Sequence, residues 1–254
     1  MKRAGLLGAT EHIWVRAVAD FRYRYAGSMA GVFWHIAWPL AQVLVYSLVA
    51  SLASGSTLGE RSLRVCGGLL PWFAFSDALL LGTDAIGVHA ATARFLAQPI
   101  ASLVAERVLV ALFGFAISTS LLVVAAALLG HGPFIQTLVV AAPSGVLLLV
   151  FAFGLALALS GLRILLPDVL EALRACLALG VWMMPIVFDE SSSLARLLSW
   201  NPIYVFIQSY RDAILAAAAP SPAAWLGMTG LAGLSMVCGL LFMRRIESDV
   251  RDEL

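Results

Sequence analysis

Lys2 is the only lysine in the 254-residue sequence, and that one position excludes a whole chemistry. A phosphate-binding P-loop needs a lysine inside G-x-x-x-x-G-K-[ST] to reach the β- and γ-phosphates, so no such ATPase site can be built here. Other catalytic constellations are also missing: no G-x-S-x-G elbow, no H-E-x-x-H, and no acidic pair on a polar loop that would hold a metal for a nucleotide sugar. His12, His35, His89 and His131 show no i, i+4 pairing, so metal binding has no support. Cys66, Cys176 and Cys238 lie in apolar runs and are odd in number, so they are expected to pack as small apolar groups and not as disulfides. The chain is expected not to be an enzyme and to hold no cofactor of its own.

Two residue types remain that could handle a polar cargo. Asp77 and Asp84 stand at i, i+7 on one helical face beside Ser76 and Thr83, where ionisable groups at membrane depth either line a hydrophilic path or join an ion pair inside a bundle. Both readings stay open for them. Glu106 and Arg107 open a later apolar run and are expected to snorkel at its inner boundary. The aromatics Trp34, Trp38 and Tyr46, Trp182 and Phe188, and Tyr204 and Tyr210 are candidates for a glycan path, the last two at its outer closure, since a flat apolar ring with a polar tip packs on pyranose C–H groups without gripping them. Taken singly, each ring is better explained by the aromatic belt of a membrane protein.

The elements that would carry these residues are long apolar helices. Hydrophobic residues make up 61% and charged residues 12%, against roughly 45–50% and 25% in soluble domains. A net charge of +1 gives no basic field for nucleic acid. Since about 20 apolar residues cross a bilayer, six spans are predicted, over 33–53, 66–89, 102–129, 137–161, 171–188 and 223–243. Before them, Trp14, Val18, Phe21 and Tyr25 oppose Arg16, Asp20 and Arg24, which predicts an amphipathic helix along the membrane surface. Arginine and lysine cluster in the segments that are internal when the amino terminus is internal, so both termini are expected to be cytoplasmic. Residues 203–219 carry Gln208, Arg211 and Asp212, and a crossing there would turn Arg244 and Arg245 outside. They are therefore predicted as re-entrant or surface helices on the outer side, between spans five and six. The first 30 residues lack the apolar core and small-residue cleavage site of a signal peptide, so a retained start is expected, and the final Arg251-Asp252-Glu253-Leu254 is read as a chance likeness to a retention signal. The whole predicts an all-α polytopic membrane protein forming one transmembrane domain over 1–254: an interface helix within 1–32, a bundle over 33–243 and a tail over 244–254.

Particular words in the sequence narrow this further. The run from Ala19-Asp20-Phe21-Arg22-Tyr23-Arg24-Tyr25 through Gly27-Ser28 to Phe33-Trp34, followed by Trp38-Pro39-Leu40, resembles the amino-terminal signature of ABC type 2 permeases that export bacterial cell-surface polysaccharides. Gly68-Leu69-Leu70-Pro71-Trp72, Pro167-Asp168-Val169, Met184-Pro185-Ile186-Val187 and Trp200-Asn201-Pro202 with Tyr210-Arg211 resemble that family's later landmarks in the same order. The resemblance implies a permease in the bacterial inner membrane that pairs with a second copy of itself and with two separate ABC ATPase subunits, which bind ATP and Mg. The cargo it implies is a lipid-linked polysaccharide, with O-antigen favoured over capsular polysaccharide or teichoic acid. It further implies ATPase contacts in the surface helix, at Phe21, Arg22 and Arg24, and in the loop Ala90 to Gln98, at Arg94. One departure stands at Pro167, where the family's pattern has an arginine before the aspartate, while here Arg163 lies further upstream. A lipid or drug exporter of the same fold, and a non-transport scaffold in glycan assembly, are the alternatives.

Overall fold

Apolar runs that leave no water for the backbone fold as helices, because only then does each N–H and C=O find its partner within the segment. The computed structural model describes residues 2–25, 33–54, 58–88, 99–128, 134–184, 186, 200–216 and 218–253, and among these no strand occurs. We number the helices α1 (Lys2–Tyr25), α2 (Phe33–Ser54), α3 (Leu58–Thr83), α4 (Ala85–Val88), α5 (Ile100–Leu128), α6 (Phe134–Leu165), α7 (Val169–Gly180), α8 (Tyr204–Ala216) and α9 (Pro222–Glu253). Four described stretches are long and apolar enough to cross a membrane: Ser62–Thr83, Ile100–Leu128, Thr137–Leu165 and Pro222–Ile246. The chain is therefore an all-helical multi-pass membrane protein. α2 has 22 residues, about 33 Å of helix, with Leu40–Val49 as its described apolar part.

The interior forms where α3, α5, α6 and α8 meet. Phe75 of α3 stacks on Phe151 of α6, with ring centroids 6.0 Å apart, and Phe151 stacks in turn on Phe206 of α8 at 5.5 Å. α9 runs along α6 at backbone contact. A Cβ on Gly239 would lie 2.1 Å from the carbonyl oxygen of Gly154, and one on Gly154 would meet the backbone of Ser235 at 2.3 Å, so glycine at both positions lets the helices touch. The Ser235 hydroxyl then donates across that contact to the Phe151 carbonyl at 2.9 Å. Outward faces carry Leu40, Leu44, Val45 and Leu48 on α2, and Leu226, Leu234, Val237 and Leu241 on α9, which is the surface that lipid demands.

The structure bears on two elements of the sequence reading. The predicted fifth span over 171–188 is a 12-residue helix, α7, then a 3₁₀ turn at Val181–Met183, and it stops at Met184, whose backbone is extended at φ −103° and ψ 136°. The residue before a proline is pushed out of the helical region, and Pro185 follows. At about 24 Å the two pieces fall short of the roughly 30 Å hydrocarbon core. Second, α8 has 13 residues, about 20 Å, and sits between α3 and α6 with Phe206, Ile207, Tyr210, Ala213 and Ile214 buried. That packing disfavours the surface alternative of the sequence reading, since a helix seated inside the bundle is what a re-entrant segment would be.

Candidate functional site: the aromatic pair beside α2 and α7 and the buried polar contacts

α3 supplies the sockets that place the α7 segment. A Cβ at Gly180 would come within 2.7 Å of the buried Trp72 ring, and one at Gly68 would come within 2.7 Å of Ile186. Trp72 therefore lies on the bare backbone at the end of α7, and Ile186, six residues further on, is fixed against α3. That sets Trp182, half exposed, beside Tyr46 of α2, with ring centroids 5.3 Å apart and planes tilted by 60°. Of the aromatic candidates on these two segments, Tyr46 and Trp182 are brought together. Trp34 and Trp38 share a face of α2 at i, i+4, but their side chains lie outside the described residues, as does Phe188 altogether. The same exposed face of α7 carries Arg174, whose Nη1 pairs with Glu171 at 2.5 Å. These two charges were not singled out in the sequence, though their i, i+3 spacing was there to be read.

The outer candidates separate. Tyr204 is half-buried, and its hydroxyl donates to Gln208 Oε1 at 2.9 Å. Gln208 Nε2 donates in turn to Asp212 Oδ1 at 2.9 Å, and Gln208 Oε1 accepts from the buried Arg211 guanidinium, so α8 carries a continuous polar strip. Arg211 fits because Gly67 lies beneath it, where a Cβ would meet its Cγ at 3.2 Å. Tyr210 is fully buried, packs on Phe115 at 5.4 Å and donates to Thr119 Oγ1 at 2.9 Å. In this arrangement it is a core side chain facing α5.

Asp84 forms an ion pair with Arg163 of α6, while Asp77, one face-repeat away, is exposed. The structure thus joins neither aspartate to the other.

Near the start of α5, Glu106 and Arg107 are not snorkelling charges. Both are buried: Arg107 Nη1 donates to Asp20 Oδ2 at 2.5 Å, and Glu106 lies 3.9 Å from Arg16 Nη1. Trp14 and Phe21 meet Phe113 edge-on at 5.1 and 5.8 Å. The docking face of α1 is centred on Ala17, which is fully buried, and takes one flank from the apolar stripe and one from the charged stripe. Both stripes of α1 thus contribute to the contact with α5. Arg22 stays exposed, the Arg24 side chain and Arg94 lie outside the described residues, and Phe21 is half-buried against α5.

Among the described residues, an all-helical bundle with apolar outward faces defines a multi-pass membrane protein. No protein-family model matches the chain. It is similar to the O-antigen export system permease protein RfbA of Myxococcus xanthus, 25% identical over 198 residues, covering 76% of this chain and 75% of that protein. It is also similar to the protein of the same name from Klebsiella pneumoniae, 22% identical over 203 residues and 76% of each chain. The family resemblance carried by the motifs, to ABC type 2 permeases of polysaccharide export, is supported along three quarters of the length.

Proposed function

We propose that this chain is the transmembrane permease subunit of an ABC exporter that moves a lipid-linked cell-surface polysaccharide, with O-antigen as the leading substrate, from the cytoplasm across the bacterial inner membrane. The observation that carries this reading is the similarity to two O-antigen export permeases over three quarters of the chain. The lack of any lysine after Lys2 supports a separate ATPase as the source of energy, with ATP and Mg bound there. In this reading two copies of the chain join two ATPase subunits, both termini are cytoplasmic, and the aromatic face of α2 and α7 borders the glycan path. The exposed flank of α1 at Arg22, together with residues 90–98, serves as the ATPase contact. A strain deleted for this gene is the test. It should lose surface polysaccharide and accumulate lipid-linked glycan inside, and a plasmid copy should restore the surface signal. Normal surface glycan in the deletion strain rejects the reading.

A further inference from the structure

The inner ends of α3 and α6 are joined by a contact that none of the path or ATPase assignments uses. Asp84 stands at the turn between α3 and α4, and its Oδ1 faces Nη1 of Arg163, two residues from the end of α6. The side chains are 28% and 23% exposed, so water screens the pair only in part. A second, independent feature fixes the guanidinium. A Cβ on Gly87 would stand 2.4 Å from Arg163 Nη1 and 3.1 Å from both Cζ and Nη2, so the planar group lies over the bare backbone of α4. Ala85 and Ile86, the other contact residues of that short helix, are fully buried. On the bundle side, Gly82 lets α3 approach α6 so closely that a Cβ there would meet the Ala156 methyl at 2.7 Å. One arginine on α6 therefore holds both the carboxylate that ends α3 and the turn that follows it.

We propose that Arg163 is a positioning residue that locks α4 to the inner end of α6, so that the chain entering residues 89–98 and the corner from α6 into α7 move as one body. An ATP-driven displacement at the first would then reach the second, where α7 leads to Trp182. This consequence rests on the export reading above. The lock itself does not.

The full-length chain in lipid nanodiscs, followed by amide hydrogen exchange over residues 85–88, reads the lock, and surface glycan in the complemented deletion strain reads its consequence. Arg163→Gln and Asp84→Asn should each speed exchange at 85–88 by about fivefold and lower surface glycan by a similar factor, at unchanged membrane abundance. The exchanged pair, Asp84→Arg with Arg163→Asp, should restore both. Gly87→Ala displaces only the tip of a flexible side chain, so it keeps the fold and should copy Arg163→Gln even if that variant fails to insert. Wild-type exchange at 85–88 in the single variants, or an exchanged pair no better than either, overturns the proposal. So does faster exchange with undiminished export, which reduces the pair to packing. If the deletion strain shows normal surface glycan, the export reading fails while the exchange data still decide the lock.

Discussion

Tyr210 and Trp182 show how differently two aromatics of one sequence can be used. Tyr210 is enclosed, and its hydroxyl has Thr119 as its partner at 2.9 Å. Tyr210→Phe should lower stability by about 0.5–1.5 kcal/mol, whereas Thr119→Val leaves a buried hydroxyl unpaired and should cost about 1–3 kcal/mol. The double variant should fall near Tyr210→Phe alone. Thermal unfolding in detergent measures this, and strictly additive losses would argue against a direct bond. Trp182 is exposed beside Tyr46, with Met183 exposed next to it. Trp182→Ala should reduce surface glycan while membrane abundance stays at the wild-type level, and undiminished export would remove this ring from the path.

At the scale of elements, the clamp between α1 and α5 is the feature with the largest expected effect. Arg107→Gln leaves Asp20 without its charge partner next to buried Glu106; because Asp20 is a quarter exposed, the loss should be at most about 3 kcal/mol. The expected readout is faster trypsin cleavage at Arg16 and Arg22 with the bundle still intact, and unchanged cleavage would show that lipid alone holds α1. None of this was legible in the sequence, since a helical wheel shows two stripes but not which neighbour meets them, and Arg107 lies 87 residues from Asp20. For Asp84 the sequence offered an ion pair as one of two readings but could not name Arg163, 79 positions away, as the partner. By contrast, the bodies of α3, α5, α6 and α9 were readable, because an apolar run of that length has one stable solution in lipid. The stop at Met184 was missed although Pro185 marks it, because Val187 and Phe188 continue the apolar run and conceal it.

For the whole molecule, α6 and α9 act as a single strut, because Gly154 and Gly239 bring their backbones into contact. Gly239→Leu must force them apart and should cost at least about 1–3 kcal/mol, seen as a lower melting temperature and reduced membrane abundance; a tolerated leucine would refute the close approach. Arg211 has a consequence for how the chain is made. An arginine at the centre of an inserting helix carries a penalty of about 2.5–3.5 kcal/mol, and α8, with 13 residues and Asp212 beside that arginine, has little apolar length to offset it. α8 cannot then be delivered to its seat as an autonomous segment. It must wait until α3 and α6 are in place and the notch at Gly67 is open. Enlarging that notch residue should therefore appear as a defect of biogenesis, with nascent chains cleared by quality-control proteases, and not as a slow transporter.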